Sequence, residues 1–171
     1  GVYEIDEGTI ALKGKQIKIS CTQEAQNYGI STVYQEVNLC PNLTVAENIF
    51  IGREPMKNGC INWKKMNEDS SKLLKERLNL EIDVKKQLSN YSVAIQQMVA
   101  IARAVDISKG ILILDEPTSS LDDHEVKQLF KIMKKFREEG MSIIFVTHFL
   151  DQVYEVSDKL TVLRNGELVG T

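Results

Sequence analysis

The chain reads as an α/β fold carrying an α-helical subdomain, on three observations. The runs ILIL at 111–114 and SIIFV at 142–146 are apolar nearly throughout, as parallel strands are when both faces of their sheet are covered. Residues 41–105 instead place apolar side chains at three-to-four-residue spacing with charges between them, which is the period of helices. Short apolar runs around glycine turns stand at both ends and read as antiparallel hairpins. A length of 171 residues is enough for one domain with a sizeable core.

Along the chain, TIAL and QIKIS flank Lys13, Gly14 and Lys15 and predict the first hairpin. Residues 22–28, opened by Thr22 and closed by Gly29, predict a short helix with a threonine cap and a glycine stop. ISTVYQ follows as a strand ending near Gln35. In the helical region Leu43, Val45, Ile49 and Phe50 form one apolar stripe, and Met66, Leu73, Leu74 and Leu78 form a second; both are core. REPMKNGC between them, rich in Pro, Gly and charge, is a loop. Val126, Leu129, Phe130, Met133 and Phe136 mark an amphipathic helix ending at Gly140, with His124 on its solvated face. In LTVLRNGELVG, Asn165 and Gly166 lie between two apolar runs and predict a tight hairpin.

Bulk properties exclude several functions. A net charge of -3, with lysines interleaved among acids, lacks the basic footprint of a nucleic-acid binder. The three cysteines, Cys21, Cys40 and Cys60, are widely spaced and suit neither a disulfide framework nor a zinc site, so a reducing cytosol fits. No apolar run approaches the roughly 18 residues of a membrane span, so a membrane role would be peripheral.

Chemistry concentrates in ILILDEPTSSLD, residues 111–122. Ligands of α/β sheets collect beyond the carboxyl ends of the strands, where Asp115 and Glu116 stand. Adjacent carboxylates repel each other, so they need cationic partners or a metal, and Mg²⁺ accompanying a nucleotide would occupy such a pair. Gln35, Ser92 and His148 also fall at predicted strand ends or at a helix start.

In this order the residues resemble the nucleotide-binding domain of an ABC transporter, built on a P-loop NTPase core, and the resemblance covers the whole chain. VYQ contains the Q-loop glutamine, YSVAIQQ takes the place of the LSGGQ signature, ILILDE is the Walker B strand, SSLD the D-loop, and VTH carries the switch histidine. GVYEIDEGTI, TVYQEVNLCPNLTVAENIFIGREP and VTHFLDQVYEVSDKLTVLRNG look like the first ATPase half of the double-domain subunits of ribose-type and galactose-type importers. SVAxQQ and THFLDQVY are most similar to the galactofuranose group.

The resemblance implies a role for each residue. Asp115 would hold Mg²⁺ through water, Glu116 would act as general base, and Gln35 would reach the metal and the water while its loop senses the membrane partner. His148 would donate to the γ-phosphate of ATP. Ser92, with Val93, Ala94 and Gln96, would contact ATP bound by the opposite half, and Asp122 would couple the halves. Residues 1–35 would be core with a hairpin, 36–105 the helical subdomain with Q-loop and signature, and 106–171 core with Walker B, D-loop and switch histidine. Implied partners are transmembrane permease subunits, a second ATPase half and, indirectly, a sugar-binding protein, with the chain peripheral on the cytoplasmic face of a bacterial membrane.

The sequence departs from the family in two places. It contains no G-x-x-x-x-G-K-[ST] phosphate loop: GTIALKGKQ has five residues between its glycines and Gln16 where a hydroxyl belongs, which is a hairpin turn. That loop, its helix and the first core strand lie upstream of GVY in the family, so the chain is expected to be an N-terminally truncated piece. Val93, Ala94 and Ile95 replace the glycines and first glutamine of the signature, leaving Ser92 and the backbone as the phosphate contacts. Two further readings stay open, a soluble ABC ATPase outside transport and a non-catalytic regulatory half.

Overall fold

A computed structural model of the chain describes all residues except 1, 4, 36, 37 and 109. Three parallel strands form the central sheet in the order β3 (Ile30–Val33), β6 (Ile111–Asp115), β7 (Ser142–Val146). The register pairs Val33 with Leu114 and Asp115 with Val146, so all three strands end at one edge and the acid pair leaves the middle one. Among the described residues three antiparallel hairpins complete the strands: β1 (Ile10–Leu12) with β2 (Lys15–Ile17), β4 (Met56–Lys57) with β5 (Cys60–Ile61), and β8 (Val162–Arg164) with β9 (Glu167–Gly170).

The helices are α1 (Thr22–Asn27), α2 (Val45–Phe50), α3 (Trp63–Leu78), α4 (Val93–Ile107), α5 (Asp123–Glu138) and α6 (Leu150–Val156), with a 3₁₀ turn at Leu88–Asn90. Helix α4 is the hinge of the packing. Met98, Val99, Ile101, Ala102 and Val105 are buried on it, and it touches both α2 and α3 on one side and β3 on the other. Helix α5 covers one face of the sheet with Leu129, Phe130, Met133 and Phe136, and the Phe130 ring meets Phe145 edge-on at 6.0 Å. Such an edge-to-face pair adds about 0.5–1.5 kcal/mol to the area buried.

Four expectations need correction. Strand β6 is buried only at Leu112 and Leu114; Ile111 and Ile113 face the other side, where Ile144 and Val146 of β7 stand 52% and 45% exposed. Among the described residues the sheet is therefore covered on one face and only partly covered on the other. The other face lines a groove of about 600 Å³ bounded by Ile30, Ile111, Ile113 and Ile144 of the strands and by Ala104 and Ile107 of α4. Arg103 also lines it, its guanidinium held below the usual arginine range by burial and by the neighbouring Arg53 charge. The cap of α1 is Cys21, not Thr22, and its first turn is tied by Ser20, whose N–H and hydroxyl both donate to Glu24 at 2.8 Å. Strand β3 stops at Val33, two residues before the expected end at Gln35. Finally, the loop at 53–60 contains the β4–β5 hairpin, turned by Asn58 (φ 53°) and Gly59 (φ 80°). The same left-handed pair turns the last hairpin, Asn165 at 51° and Gly166 at 81°, as two-residue I′ turns require.

Candidate functional site

Glu116 follows the last residue of β6, and its N–H donates to the carbonyl of Val146 at 2.9 Å, the final rung between the two strands. Its backbone then turns into the left-handed region at φ 46°, a conformation non-glycine residues seldom adopt outside turns and functional sites. That turn carries the carboxylate towards the ends of the neighbouring strands. Its Oε1 lies 3.2 Å from His148 Nδ1, and its Oε2 accepts from Gln35 Nε2 at 3.2 Å. Gln35 comes from the end of β3 and His148 from the end of β7, 81 and 32 residues away in sequence.

The donor assignments follow from chemistry. An ionised carboxylate only accepts, so the proton at the His148 contact sits on Nδ1, and Nε2 donates to a phosphate oxygen only when the ring is an imidazolium. Gln35 turns its N–H₂ to Glu116, which directs its carbonyl oxygen away as the end able to meet a cation. The Glu116 side chain is 27% exposed and that of His148 61%, so the contact opens to solvent on the histidine side. Asp115, half-buried at the strand end, lies on the same face of β6 as Ile111 and Ile113, the open face. Among the described residues no three His, Cys, Asp or Glu gather as a metal cluster.

Ser92 caps α4 and accepts from Ile95 N–H at 3.4 Å. Val93 is 51% exposed, whereas Ala94 is buried, so the Ala94 side chain belongs to the core and only its backbone is placed to meet a ligand. Gln96 donates from Nε2 to the Tyr91 carbonyl at 2.9 Å, and the Tyr91 hydroxyl donates to the Asp83 carbonyl at 2.8 Å, its ionisation pushed up by burial and then by the Asp83 charge. The side chains of Ser92 and Gln96 bond within this corner and not to Gln35, Glu116 or His148. Asp122 is the N-cap of α5 in a reciprocal capping box with Glu125, at 2.8 and 2.9 Å. That is a structural role which its place in the sequence motif did not announce.

Two residues, Asn48 and Gln152, were not singled out from sequence, and Thr118 stood out only as part of the run 111–122. Asn48 is buried at the start of the helical region and ties down the segment after Gln35, accepting from Cys40 N–H at 2.7 Å and donating to the carbonyls of Cys40 and Thr44 at 2.9 Å each. Thr118 and Gln152 bond to each other at 2.7 Å beside Glu116 and His148. The one sequence signal available was an Asn in the middle of an otherwise apolar helical stripe, a polar residue that burial obliges to find partners.

A parallel sheet with an acid pair leaving its middle strand, and helices on its flank, fits the P-loop NTPases, and solved chains similar to this one are ATP-binding cassettes. One, a dimeric cassette in a post-hydrolysis state bound to ADP and phosphate, superposes with a TM-score of 0.79 at 25% identity over 99% of this chain and 74% of its own. Another, the ADP conformation of an ABC transporter cassette, reaches 0.83 at 24% over 99% and 70%. Residues 1–119 match the ABC transporter family, and the chain belongs to it. Among curated relatives, the galactofuranose transporter ATP-binding protein YtfR of Escherichia coli (strain K12) is 55% identical over 99% of this chain. The fructose import ATP-binding protein FruK of Bifidobacterium longum is 53% identical over 99%, and the ribose import ATP-binding protein RbsA of Caldanaerobacter subterraneus 44% over 99%. The chain spans about a third of the length of these relatives, 34%, 33% and 34% respectively.

Proposed function

We propose that the chain supplies the water-activating and coupling elements of an ABC ATPase that drives carbohydrate import. The observation that carries this is the meeting of Gln35, Glu116 and His148 at one sheet edge, 3.2 Å from each other's polar atoms through the Glu116 carboxylate. Glu116 takes a proton from the attacking water, an action worth about 10²–10⁴ in rate. His148 fixes one carboxylate oxygen and leaves its other ring nitrogen for the transferred phosphate; Gln35 fixes the other oxygen. The carboxylate and amide oxygens at this edge are hard ligands that suit Mg²⁺, and Asp115 and Gln35 would be the residues that hold it. The ion, when bound, neutralises phosphate charge.

The relatives' names support transport of a sugar without choosing one, since 55% identity to a galactofuranose protein and 53% to a fructose protein are nearly equal. On this reading the helical region, residues 36–105, is a unit that carries the docking surface for permease subunits. Ser92, Val93, Gln96 and the Ala94 backbone face ATP held by a second ATPase half, Asp122 joins the two, and a sugar-binding protein acts through the permease. No described helix is long and apolar enough to cross a membrane, which suits a peripheral place on the cytoplasmic face.

Phosphate release by the full-length protein tests the reading. Glu116→Gln keeps the size and hydrogen bonding of the side chain but not its basicity, so ATP binding persists and turnover falls by about 10² or more. Turnover within a few fold of wild type would remove Glu116 from the base role.

A further inference from the structure

We propose that Gln152 is a positioning residue for this reaction, a latch that holds the loop bearing His148 in register with the loop bearing Glu116. The inference rests on the hydrolytic reading above. The ladder between β6 and β7 ends with Asp115 opposite Val146, and the Glu116 N–H to Val146 bond is the last backbone contact between the two loops among the described residues. Beyond it the connection passes through side chains. Gln152, in the first turn of α6, accepts through Oε1 from the Thr118 hydroxyl at 2.7 Å and from the Thr147 hydroxyl at 3.5 Å. Thr118 lies two places after Glu116, and Thr147 directly precedes His148. The Thr147 oxygen in turn accepts from Phe149 N–H at 3.1 Å, which closes the turn around the histidine.

The placement gives this cluster its leverage. His148 is mostly exposed, and its imidazole is held by one contact to Glu116 and by the Phe149 ring, with centroids 4.1 Å apart. A single solvent-facing hydrogen bond does not fix a side chain against its rotamer freedom, so the ring's direction depends on the backbone on either side of it. Thr118 is 4% exposed, and its hydroxyl donates to Gln152, its sole partner among the described residues. Losing the acceptor would leave a buried hydroxyl unsatisfied and release the two loops from each other.

The test uses the full-length protein. Gln152→Leu, which removes the acceptor at similar size, is expected to lower kcat by roughly tenfold or more while KM for ATP stays within about twofold, because misplacing a reacting group affects turnover more than ground-state binding. Gln152→Glu, which keeps an acceptor oxygen, should restore kcat to within about twofold of wild type. Thr118→Val should reproduce the loss without adding to it. In a His148→Ala background Gln152→Leu should change kcat little, since it acts through the histidine. Rates are taken per folded molecule from parallel melting curves. Gln152→Leu and Thr118→Val both at wild-type kcat, or Gln152→Glu as poor as Gln152→Leu, would overturn the latch. A Glu116→Gln control separates the two levels: if it abolishes turnover while the latch variants are normal, the latch alone is wrong, and if it leaves turnover intact, the hydrolytic reading is wrong.

Discussion

Asp122→Ala removes a helix cap and, on the proposed function, a contact across the interface of two ATPase halves, and the two losses have different signatures. The cap is reciprocal: the Asp122 carboxylate accepts from Glu125 N–H at 2.8 Å and Glu125 accepts from Asp122 N–H at 2.9 Å. Replacing such an N-cap by alanine costs about 1 kcal/mol. A negative charge at the positive end of a 16-residue helix contributes a further 0.3–1 kcal/mol, taken as about 0.5 for this exposed site. The sum, about 1.5 kcal/mol, corresponds to a fall in Tm of roughly 3–6 °C for a chain of this size. Asparagine caps as well as aspartate, so Asp122→Asn loses only the charge contribution and about 1–2 °C. The melts are followed by circular dichroism on the 171-residue chain. Phosphate release is measured on the full-length protein, where a coupling role predicts that both variants are impaired alike, since both lack the charge. A Tm for Asp122→Ala within about 1 °C of wild type would refute the capping argument. Full hydrolysis by Asp122→Asn would refute coupling through the carboxylate.

His148→Ala is expected to lower hydrolysis with little change in ATP affinity and little change in Tm, because the ring is exposed; a melting shift without a rate effect would make it a structural residue. Phe136→Ala, which empties a site that is 0% exposed beneath the Arg77 guanidinium, should destabilise the chain by about 3–5 kcal/mol in urea unfolding, and a loss under about 1 kcal/mol would contradict the packing described. The 171-residue chain alone, lacking a phosphate-loop sequence, should give no saturable heat with micromolar Mg·ATP in calorimetry; binding that depends on Asp115 would reveal a phosphate cradle elsewhere. Single cysteines at 41–45, in a background without Cys21, Cys40 and Cys60, should cross-link to a permease in assembled transporter. Absence of cross-links would remove this segment as the coupling surface. Val37 belongs to the same segment but lies outside the described residues.

The sheet was legible because the four-residue apolar runs at 111–114 and 143–146 are too short for helices and lie between polar or glycine flanks, and the last hairpin because Asn165–Gly166 sits between apolar flanks. The Asn58–Gly59 hairpin carries the same turn signal, yet its flanks are polar and exposed, so alternation gave no second clue. The open face of the sheet was misjudged for a related reason: Ile111, Ile113 and Ile144 read the same whether or not something covers them, since composition records what a face can bury and not what lies on it. Gln35, Glu116 and His148 were found through family order, whereas Thr118 and Gln152 meet across 34 residues of sequence, a bond that leaves no local pattern. Asn48 bonds within eight residues, and its one signal was a polar residue in an apolar stripe. The left-handed backbone of Glu116 was equally invisible, because nothing in DEP announces a positive φ at its middle residue.

That backbone sets activity and heat resistance against each other at one position. A residue with a Cβ held at φ 46° gives up roughly 1–2 kcal/mol that glycine would not. Selection of this protein for thermal tolerance alone would therefore drift towards glycine or asparagine at 116, improving the melt while discarding turnover. β-branched residues such as valine would fail on both counts, straining the turn and lacking a base. A library screened only by solubility or melting would collect inactive winners here, and a thermostable working variant has to be sought at positions whose backbone is relaxed.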